Sequence, residues 1–344
     1  MEFKLENLIR ENLRNLKPYT SLRDSQNFEA PVFLEANENP FGEYNRYPDS
    51  TQKKLKEKLS ELKNINPKNL FIGNGSDELI DLIIKAFCEP KKDEILVMNP
   101  SFVMYSFYAK INDNKVNALE LDENFQINKE DFLQKIQNEN LKVLFLCSPN
   151  NPTGNELVDL EFFIENFSGI VVLDEAYIEF SSRKSAISWL AKYPNLIVLQ
   201  TLSKAYGMAG LRIGIGAAST EIATLMNTIK GPYNVNSLSQ KIALEQLNDE
   251  KLFKENLEKI LAEREFLKVQ LNQFDFVKKI YPTEANFFLI KVENPIEIYE
   301  FLLAQNILTS LRHPQIENAL RINVGSKEEN QKLIETLKNY KKVK

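Results

Sequence analysis

The sequence predicts an α/β protein whose large domain has three layers, α/β/α, around a mostly parallel sheet, with a smaller α+β domain beside it. The first observation is a series of short, continuously apolar segments, which is typical of strands buried on both faces. They cover residues 70–72, 94–98, 142–146, 170–173 and 196–199. The second observation is that helical patterns, such as 78–84 and 131–136, lie between these segments, and this alternation indicates helices covering a parallel sheet.

The pattern changes after residue 237. A long, charged helical stretch over 239–273 precedes an apolar segment at 287–290, and a helix over 296–305, a strand near 319–324 and a terminal helix from Lys327 follow. This order of elements is typical of an α+β unit. We therefore interpret residues 1–30 as an N-terminal arm that packs with the small domain, 31–237 as the large domain, and 238–344 as the small C-terminal domain.

Length and charge disfavour several classes of function. The 344 residues include 43 basic and 48 acidic side chains, so the net charge is −5 with the single histidine neutral. An acidic chain is not expected to bind nucleic acid or an anionic membrane by general electrostatics. No apolar run approaches the roughly 18–20 residues that a membrane-spanning helix needs. The two cysteines, Cys88 and Cys147, lack metal-ligand neighbours, so we expect no metal site and a reducing cytoplasm.

Polar side chains follow the predicted strands at the points where the strands end. Ligands of doubly wound sheets bind outside the carboxyl ends of the strands, so these side chains are expected to converge. Each also has a purely structural interpretation: the Gly75-Ser76-Asp77 turn as a helix cap, Asp174 as another cap, and Lys204 as a solvated charge. Their order and shared placement favour a functional site. The residues concerned are Gly75, Ser76, Asp77, Phe102, Asn151, Asp174, Tyr177, Ser203 and Lys204.

One cofactor, pyridoxal 5'-phosphate, needs this set of groups. Its aldehyde requires a lysine, its ring nitrogen a carboxylate that keeps it protonated, and its ring an aromatic face. Its phosphate requires backbone amides, hydroxyls and an arginine. The candidates, in that order, are Lys204, Asp174, Phe102, and the Gly75–Asp77 turn with Ser203 and Arg212.

The motifs resemble those of the fold-type I pyridoxal-phosphate aminotransferases of the aspartate aminotransferase superfamily, over essentially the whole chain. The superfamily signature is Ser203-Lys204 followed by Gly210-Leu211-Arg212. More narrowly, the chain is similar to the histidinol-phosphate aminotransferase family, and the segment that carries this likeness is Arg14-Asn15-Leu16-Lys17-Pro18-Tyr19. Further matching segments are 35–42, 45–48, 147–154, 174–177 and 319–325.

The resemblance implies a role for each matching position. Lys204 is implied to be the Schiff-base lysine and proton carrier, and Asp174 the partner of the ring nitrogen. Tyr177 and Asn151 are implied to hydrogen-bond the ring oxygen, while Phe102 stacks where many relatives have tyrosine or tryptophan. The expected phosphate ligands are Gly75, Ser76, Asp77, Ser203 and Arg212, joined by Tyr47 reaching across from the neighbouring subunit of a homodimer.

The resemblance also implies the substrates. The reaction would interconvert L-histidinol phosphate and 2-oxoglutarate with imidazole-acetol phosphate and L-glutamate, in histidine biosynthesis. Arg321 is expected to bind the substrate anion, with Tyr19, Asn37 and an upstream arginine, for which Arg312 is the candidate.

Three alternative functions are compared with this one, of which two stay open and one is disfavoured. A threonine-phosphate decarboxylase or an aromatic amino-acid aminotransferase of the same fold would share the cofactor residues. A nicotinamide-dependent dehydrogenase built on Gly73 and Gly75 is disfavoured, because Glu78 stands where the third glycine of that motif is expected.

Overall fold

The computed structural model describes residues 4–19, 23 and 32–340. The strands of its larger sheet are β1 (Leu70–Asn74), β2 (Glu94–Asn99), β3 (Lys115–Glu120), β4 (Leu141–Cys147), β5 (Ile170–Asp174), β6 (Leu196–Thr201) and β7 (Ile213–Ala218). They lie in the order β1-β7-β6-β5-β4-β2-β3. The pairs from β3 through β6 are parallel, whereas β7 is antiparallel to both β6 and β1. The predicted mostly parallel sheet is confirmed.

Helices cover both faces of this sheet, as continuously apolar strands require. The helices are α1 (Lys53–Lys63), α2 (Ser76–Phe87), α3 (Met104–Ile111), α4 (Lys129–Lys135), α5 (Leu160–Asn166), α6 (Thr220–Ile229) and α7 (Ser237–Leu247). Because successive strand side chains point to opposite faces, neighbouring residues enter different cores. Leu144 packs in one apolar cluster and Phe145 in the other.

A second, antiparallel sheet forms the smaller unit. Its strands are β8 (Val277–Ile280), β9 (Phe287–Val292), β10 (Ser310–Leu311) and β11 (Ala319–Asn323), in the order β10-β11-β9-β8. The helices α8 (Glu250–Leu271), α9 (Pro295–Ala304) and α10 (Lys327–Tyr340) accompany it. Its core contains Phe288, Ile290 and Leu320.

The helical stretch predicted over 239–273 is two helices. Helix α7 ends before Asn248, and the side chain of Asp249 caps α8 by accepting a hydrogen bond from the backbone N–H of Leu252. Leu247 packs in the core of the large sheet, whereas Leu267 packs in the smaller core. The chain therefore passes from one core to the other along α8, and the domain limits at 30/31 and 237/238 stay a prediction.

The N-terminal segment contacts the large domain. Leu5, Leu8 and Ile9 pack against the apolar cluster that includes α2, and the Arg10 backbone N–H donates to the Ala86 carbonyl at 3.0 Å. The apolar side chains of Leu5, Leu8 and Ile9 therefore pack on the large domain, whereas the sequence predicts that the arm packs with the small domain. Residues 1–3, 20–22 and 24–31 of the arm lie outside the described residues. Among the described helices, none is both long and apolar enough to cross a membrane.

Candidate active site

One cavity at the carboxyl ends of β4, β5 and β6 collects most of the predicted site residues. Parallel strands end at the same edge of a sheet, so the loops that follow them meet there. Cys147, Ala176 and Thr201 complete the wall. The predicted residues that line the cavity are Ser76, Asp77, Phe102, Asn151, Asp174, Tyr177, Ser203, Lys204 and Arg212.

An anion cradle forms where α2 begins. Gly75 caps the helix with φ 82° and ψ 164°, a conformation essentially reserved for glycine. A Cβ at Gly75 would lie 2.3 Å from Nη2 of Arg212, so the guanidinium packs directly on this turn. The same Nη2 lies 3.2 Å from Oδ2 of Asp77, which holds it in place. The first N–H groups of a helix have no intrahelical acceptor, so together with Arg212 they favour a phosphate.

The carboxylate of Asp174 is buried at the end of β5. Its Oδ2 accepts a hydrogen bond from the Tyr105 hydroxyl at 2.7 Å, and its Oδ1 accepts one from the Ala176 N–H at 3.0 Å. Burial raises the pKa of Asp174 to about 6, while the two hydrogen bonds and Lys204 oppose that rise. The group is therefore mainly ionised at neutral pH and can hold a proton on a ring nitrogen.

The amine of Lys204 opens onto the cavity. Its Nζ lies 5.6 Å from the centroid of the Tyr177 ring. Desolvation by the surrounding protein, followed by the positive charge of Arg321, lowers the pKa of Lys204, and Asp174 opposes the shift. A lowered pKa increases the fraction of neutral amine, which is the nucleophilic and proton-accepting form.

Two aromatic side chains and an amide line the remaining walls. Tyr177 is buried and meets Phe287 edge-on, with ring centroids 5.3 Å apart. Phe102 contacts the Tyr105 ring edge-on at 5.6 Å. Oδ1 of Asn151 accepts a hydrogen bond from Nη1 of Arg321, so Asn151 connects the cavity to the arginine that the sequence predicts to bind substrate.

Arg321 and Arg312 lie side by side on the small domain. Arg321 is on β11, and Arg312 follows β10, where its N–H donates to the Ala319 carbonyl at 3.0 Å. Desolvation lowers the pKa of both guanidinium groups, and Arg321 lowers that of Arg312 further. The Nε atoms of both are buried without a hydrogen-bond partner among the described residues. Adjacent cations with unused donors favour an anionic ligand.

Three predicted residues lie elsewhere in the chain. Tyr47 stacks on Tyr233, with centroids 4.5 Å apart, and shares a separate concave surface with Asn37. Tyr19 is 68% exposed and lies near Lys56. None of the three lines the Lys204 cavity within the described part of this chain, and their roles stay predictions.

Tyr105 is the residue that the sequence analysis missed. It is fully buried and donates the hydrogen bond that holds Asp174. The available signal was its position three residues after Phe102, in the first turn of α3, where its N–H donates to the Phe102 carbonyl at 3.4 Å.

The donor set fits pyridoxal phosphate. The turn at Gly75 and Arg212 forms an anion cradle that a single added Cβ would disrupt. Asp174 supplies a buried carboxylate, and Lys204 an amine with a lowered pKa. All three reach the same cavity, together with an aromatic face at Phe102.

The chain is similar over most of its length to known aminotransferases. Residues 12–337 match the family model described as aminotransferase class I and II. A histidinol-phosphate aminotransferase of Parabacteroides distasonis is 46% identical over 342 residues, covering 98% of this chain and 99% of that protein. One from Flavobacterium psychrophilum is 48% identical over 343 residues, with coverage of 98% and 99%. The crystal structure of the histidinol-phosphate aminotransferase from Clostridium acetobutylicum superposes with a TM-score of 0.79 at 27% identity, over 88% of this chain and 92% of that one.

Proposed function

The chain belongs to the class I and II aminotransferase family, and from this premise we propose that it is a pyridoxal-phosphate-dependent histidinol-phosphate aminotransferase of histidine biosynthesis. It would transfer the amino group between L-histidinol phosphate and 2-oxoglutarate, with imidazole-acetol phosphate and L-glutamate as products. The observation that carries this proposal is the cavity in which Lys204, Asp174 and the Gly75–Arg212 turn meet.

The chain offers a group for each part of the cofactor. The N–H groups of Ser76 and Asp77, with Ser203 and Arg212, would hold the phosphate. Asp174 would hold a proton on the ring nitrogen, and Tyr177 and Asn151 would hydrogen-bond the ring oxygen. The aromatic face of Phe102 would stack on the ring. Once bound, pyridoxal phosphate supplies an aldehyde that condenses with amines and a protonated ring that withdraws electrons from the neighbouring carbon.

Lys204 is proposed to move the proton in each half of the reaction. Its lowered pKa increases the neutral fraction of the amine, so it would accept a proton from the substrate carbon and pass it to the cofactor in one half of the reaction, and move it in the opposite direction in the other half. Arg321 contributes to that lowered pKa, so the arginine proposed to bind substrate also tunes the base. An anionic substrate would partly cancel this positive charge.

The two arginines support a pocket that accepts two anionic substrates in turn. A guanidinium can bind a phosphate or a carboxylate with two parallel hydrogen bonds. Arg321 and Arg312 each have a buried Nε without a partner among the described residues, so donors remain for either substrate. Tyr19 and Asn37 are proposed to contribute to substrate binding as well.

We also propose a homodimer and a cytoplasmic location. Tyr47 lies outside the cavity of its own chain, is half exposed, and would reach the phosphate bound by the neighbouring subunit. The thiols of Cys88 and Cys147 are free and buried, which is typical of proteins in a reducing compartment.

A coupled assay tests the proposed function. Purified protein loaded with pyridoxal phosphate should form glutamate from histidinol phosphate and 2-oxoglutarate. Threonine phosphate and phenylalanine serve as competing substrates, and release of carbon dioxide from the former is measured in parallel. Carbon dioxide release, or faster amino transfer from phenylalanine than from histidinol phosphate, would overturn the proposal.

A further inference from the structure

We propose that Tyr105 is a positioning residue for the reaction: its hydroxyl orients the Asp174 carboxylate and favours the ionised form that the cofactor requires. The inference rests on the proposed use of pyridoxal phosphate, and it adds a residue outside the set that the motifs assign.

The Tyr105 ring is held rigidly by its neighbours. It is fully buried, and it stacks on Phe145 with centroids 4.6 Å apart and an interplanar angle of 14°. Its edge contacts Phe102 at 5.6 Å and 83°. The same ring therefore braces Phe102, the proposed stacking face, and places its hydroxyl 2.7 Å from Oδ2 of Asp174.

Each oxygen of the Asp174 carboxylate has one donor. The Ala176 N–H donates to Oδ1 at 3.0 Å, and Tyr105 donates to Oδ2. A backbone donor cannot be removed by substitution, whereas the hydroxyl can. Without Tyr105, Oδ2 would have no donor from the described part of the chain, and the carboxylate could rotate away from the position that meets a ring nitrogen.

Among the groups around Asp174, the Tyr105 hydroxyl contributes most to keeping the buried carboxylate ionised. Burial raises the pKa of Asp174, and among the opposing causes the Tyr105 hydrogen bond is the largest, ahead of the Ala176 N–H and Lys204. Burial also raises the pKa of the Tyr105 and Cys147 side chains, so both stay neutral and Tyr105 keeps the proton that it donates to Asp174. The titratable groups that face Asp174 are Tyr105, Cys147, Tyr177, Lys204 and Asp77.

Removing the hydroxyl should raise the pKa of Asp174 above its value of about 6. Loss of one hydrogen bond to an ionised group is expected to shift the pKa by about one unit. The apoprotein would then bind pyridoxal phosphate about fivefold more weakly at pH 6, approaching tenfold at lower pH, and the acid limb of the affinity profile would move up by about one pH unit.

Tyr105→Phe is the test variant, because it deletes the hydroxyl and keeps the ring. Tyr193→Phe is the matched control: Tyr193 is also buried, and its hydroxyl lies 2.8 Å from Oε1 of Glu161 and 2.7 Å from Oε1 of Glu165, to either of which it can donate, away from the cavity. The dissociation constant of pyridoxal phosphate is measured for each apoprotein between pH 5.5 and 8.5. The control should match the wild type, whereas Tyr105→Phe should show the weaker, shifted profile.

A double-mutant cycle separates positioning from general packing. In an Asp174→Asn background no carboxylate remains to be ionised, so Tyr105→Phe should weaken cofactor binding no further. An equal loss in both backgrounds, or an unchanged profile in the wild-type background, would overturn the proposal. Tyr105→His keeps a ring N–H donor and should bind within about threefold of the wild type. A loss of affinity well beyond threefold in Tyr105→His would also overturn the proposal. The histidine variant is the deciding measurement if Tyr105→Phe does not fold.

The wild type distinguishes the two proposals. If the wild-type apoprotein does not bind pyridoxal phosphate, the proposed function fails. If the wild type binds it and Tyr105→Phe binds it identically, only the role of Tyr105 fails.

Discussion

Replacing Gly75 with alanine tests the anion cradle, because the substitution acts on the backbone and on Arg212 together. Gly75 has φ 82° and ψ 164°, and holding alanine there costs about 1–3 kcal/mol. The new Cβ would lie 2.3 Å from Nη2 of Arg212 and 3.0 Å from its Cζ. The guanidinium would therefore have to leave its place beside Asp77.

The expected loss of cofactor affinity follows from that displacement. A hydrogen bond to a charged group contributes about 1.5–3 kcal/mol. Because each 1.4 kcal/mol corresponds to a factor of about ten, losing one such contact from Arg212 to the phosphate should raise the dissociation constant of pyridoxal phosphate by about 10–100-fold. The apoprotein should also unfold at a lower temperature, owing to the strained backbone.

Titration of the apoprotein with pyridoxal phosphate measures the effect, and Gly231→Ala provides the control. A Cβ at Gly231 would meet only the Cβ of Asn234, at 3.8 Å, which is ordinary contact. The control should therefore bind the cofactor as the wild type does. A dissociation constant for Gly75→Ala within twofold of that of Gly231→Ala would refute the cradle.

Three further substitutions or titrations test other parts of the account. Arg321→Ala should raise KM at least about tenfold for both histidinol phosphate and 2-oxoglutarate, since one guanidinium is proposed to bind both. Steady-state kinetics measure both KM values, and an increase for only one substrate would contradict a shared contact. Cofactor affinity should be constant above about pH 7 and fall below pH 6, as Asp174, with its pKa of about 6, becomes protonated; Asp174→Asn should bind weakly at every pH, and a wild-type profile in that variant would contradict the assignment. Glu38→Gln should lower the melting temperature at pH 7. Arg23 and Arg46 lower the pKa of Glu38 to about 2, so its carboxylate stabilises the fold fully above pH 4.5. The difference in melting temperature from the wild type should therefore shrink between pH 4.5 and 2, and a constant difference would contradict the ion pairs.

The fold could be predicted where burial is continuous. Strands β1, β2, β4, β5 and β6 are buried almost throughout, so each contains a run of at least three consecutive apolar residues. Strand β3 lies at the edge of the sheet and exposes most of its residues, so its sequence has no such pattern. Strand β7 contains Gly214, where a Cβ would lie 2.3 Å from the carbonyl carbon of Gly75. That close approach is set by tertiary packing, so strand propensity does not predict the glycine at this position of β7.

The site could be predicted where it depends on strand ends and motifs. Asp174 ends β5, Lys204 lies three residues after β6, and Arg212 directly precedes β7. Because β5 and β6 are parallel and β7 is antiparallel to β6, all three residues lie at the same edge of the sheet. Tyr105 could not be found in this way, because its role depends on the depth to which α3 packs beside Phe145. The closeness of Arg312 and Arg321 depends on the pairing of β10 with β11, which a two-residue strand does not signal in the sequence. Tyr19, Asn37 and Tyr47 lie outside the cavity of their own chain, so their roles stay predictions, and the role of Tyr47 depends on the proposed dimer.

The most direct test of the central claim is to identify the amine that carries the cofactor. The loaded protein is reduced with borohydride, digested, and mapped by peptide mass spectrometry. We predict one pyridoxyl group on Lys204 and none on Lys56. Lys56 is a half-buried amine that lines a different cavity from Asp174, and its pKa is lowered to about 8. A modification on Lys56 or another lysine in place of Lys204, or no modification at all, would contradict it.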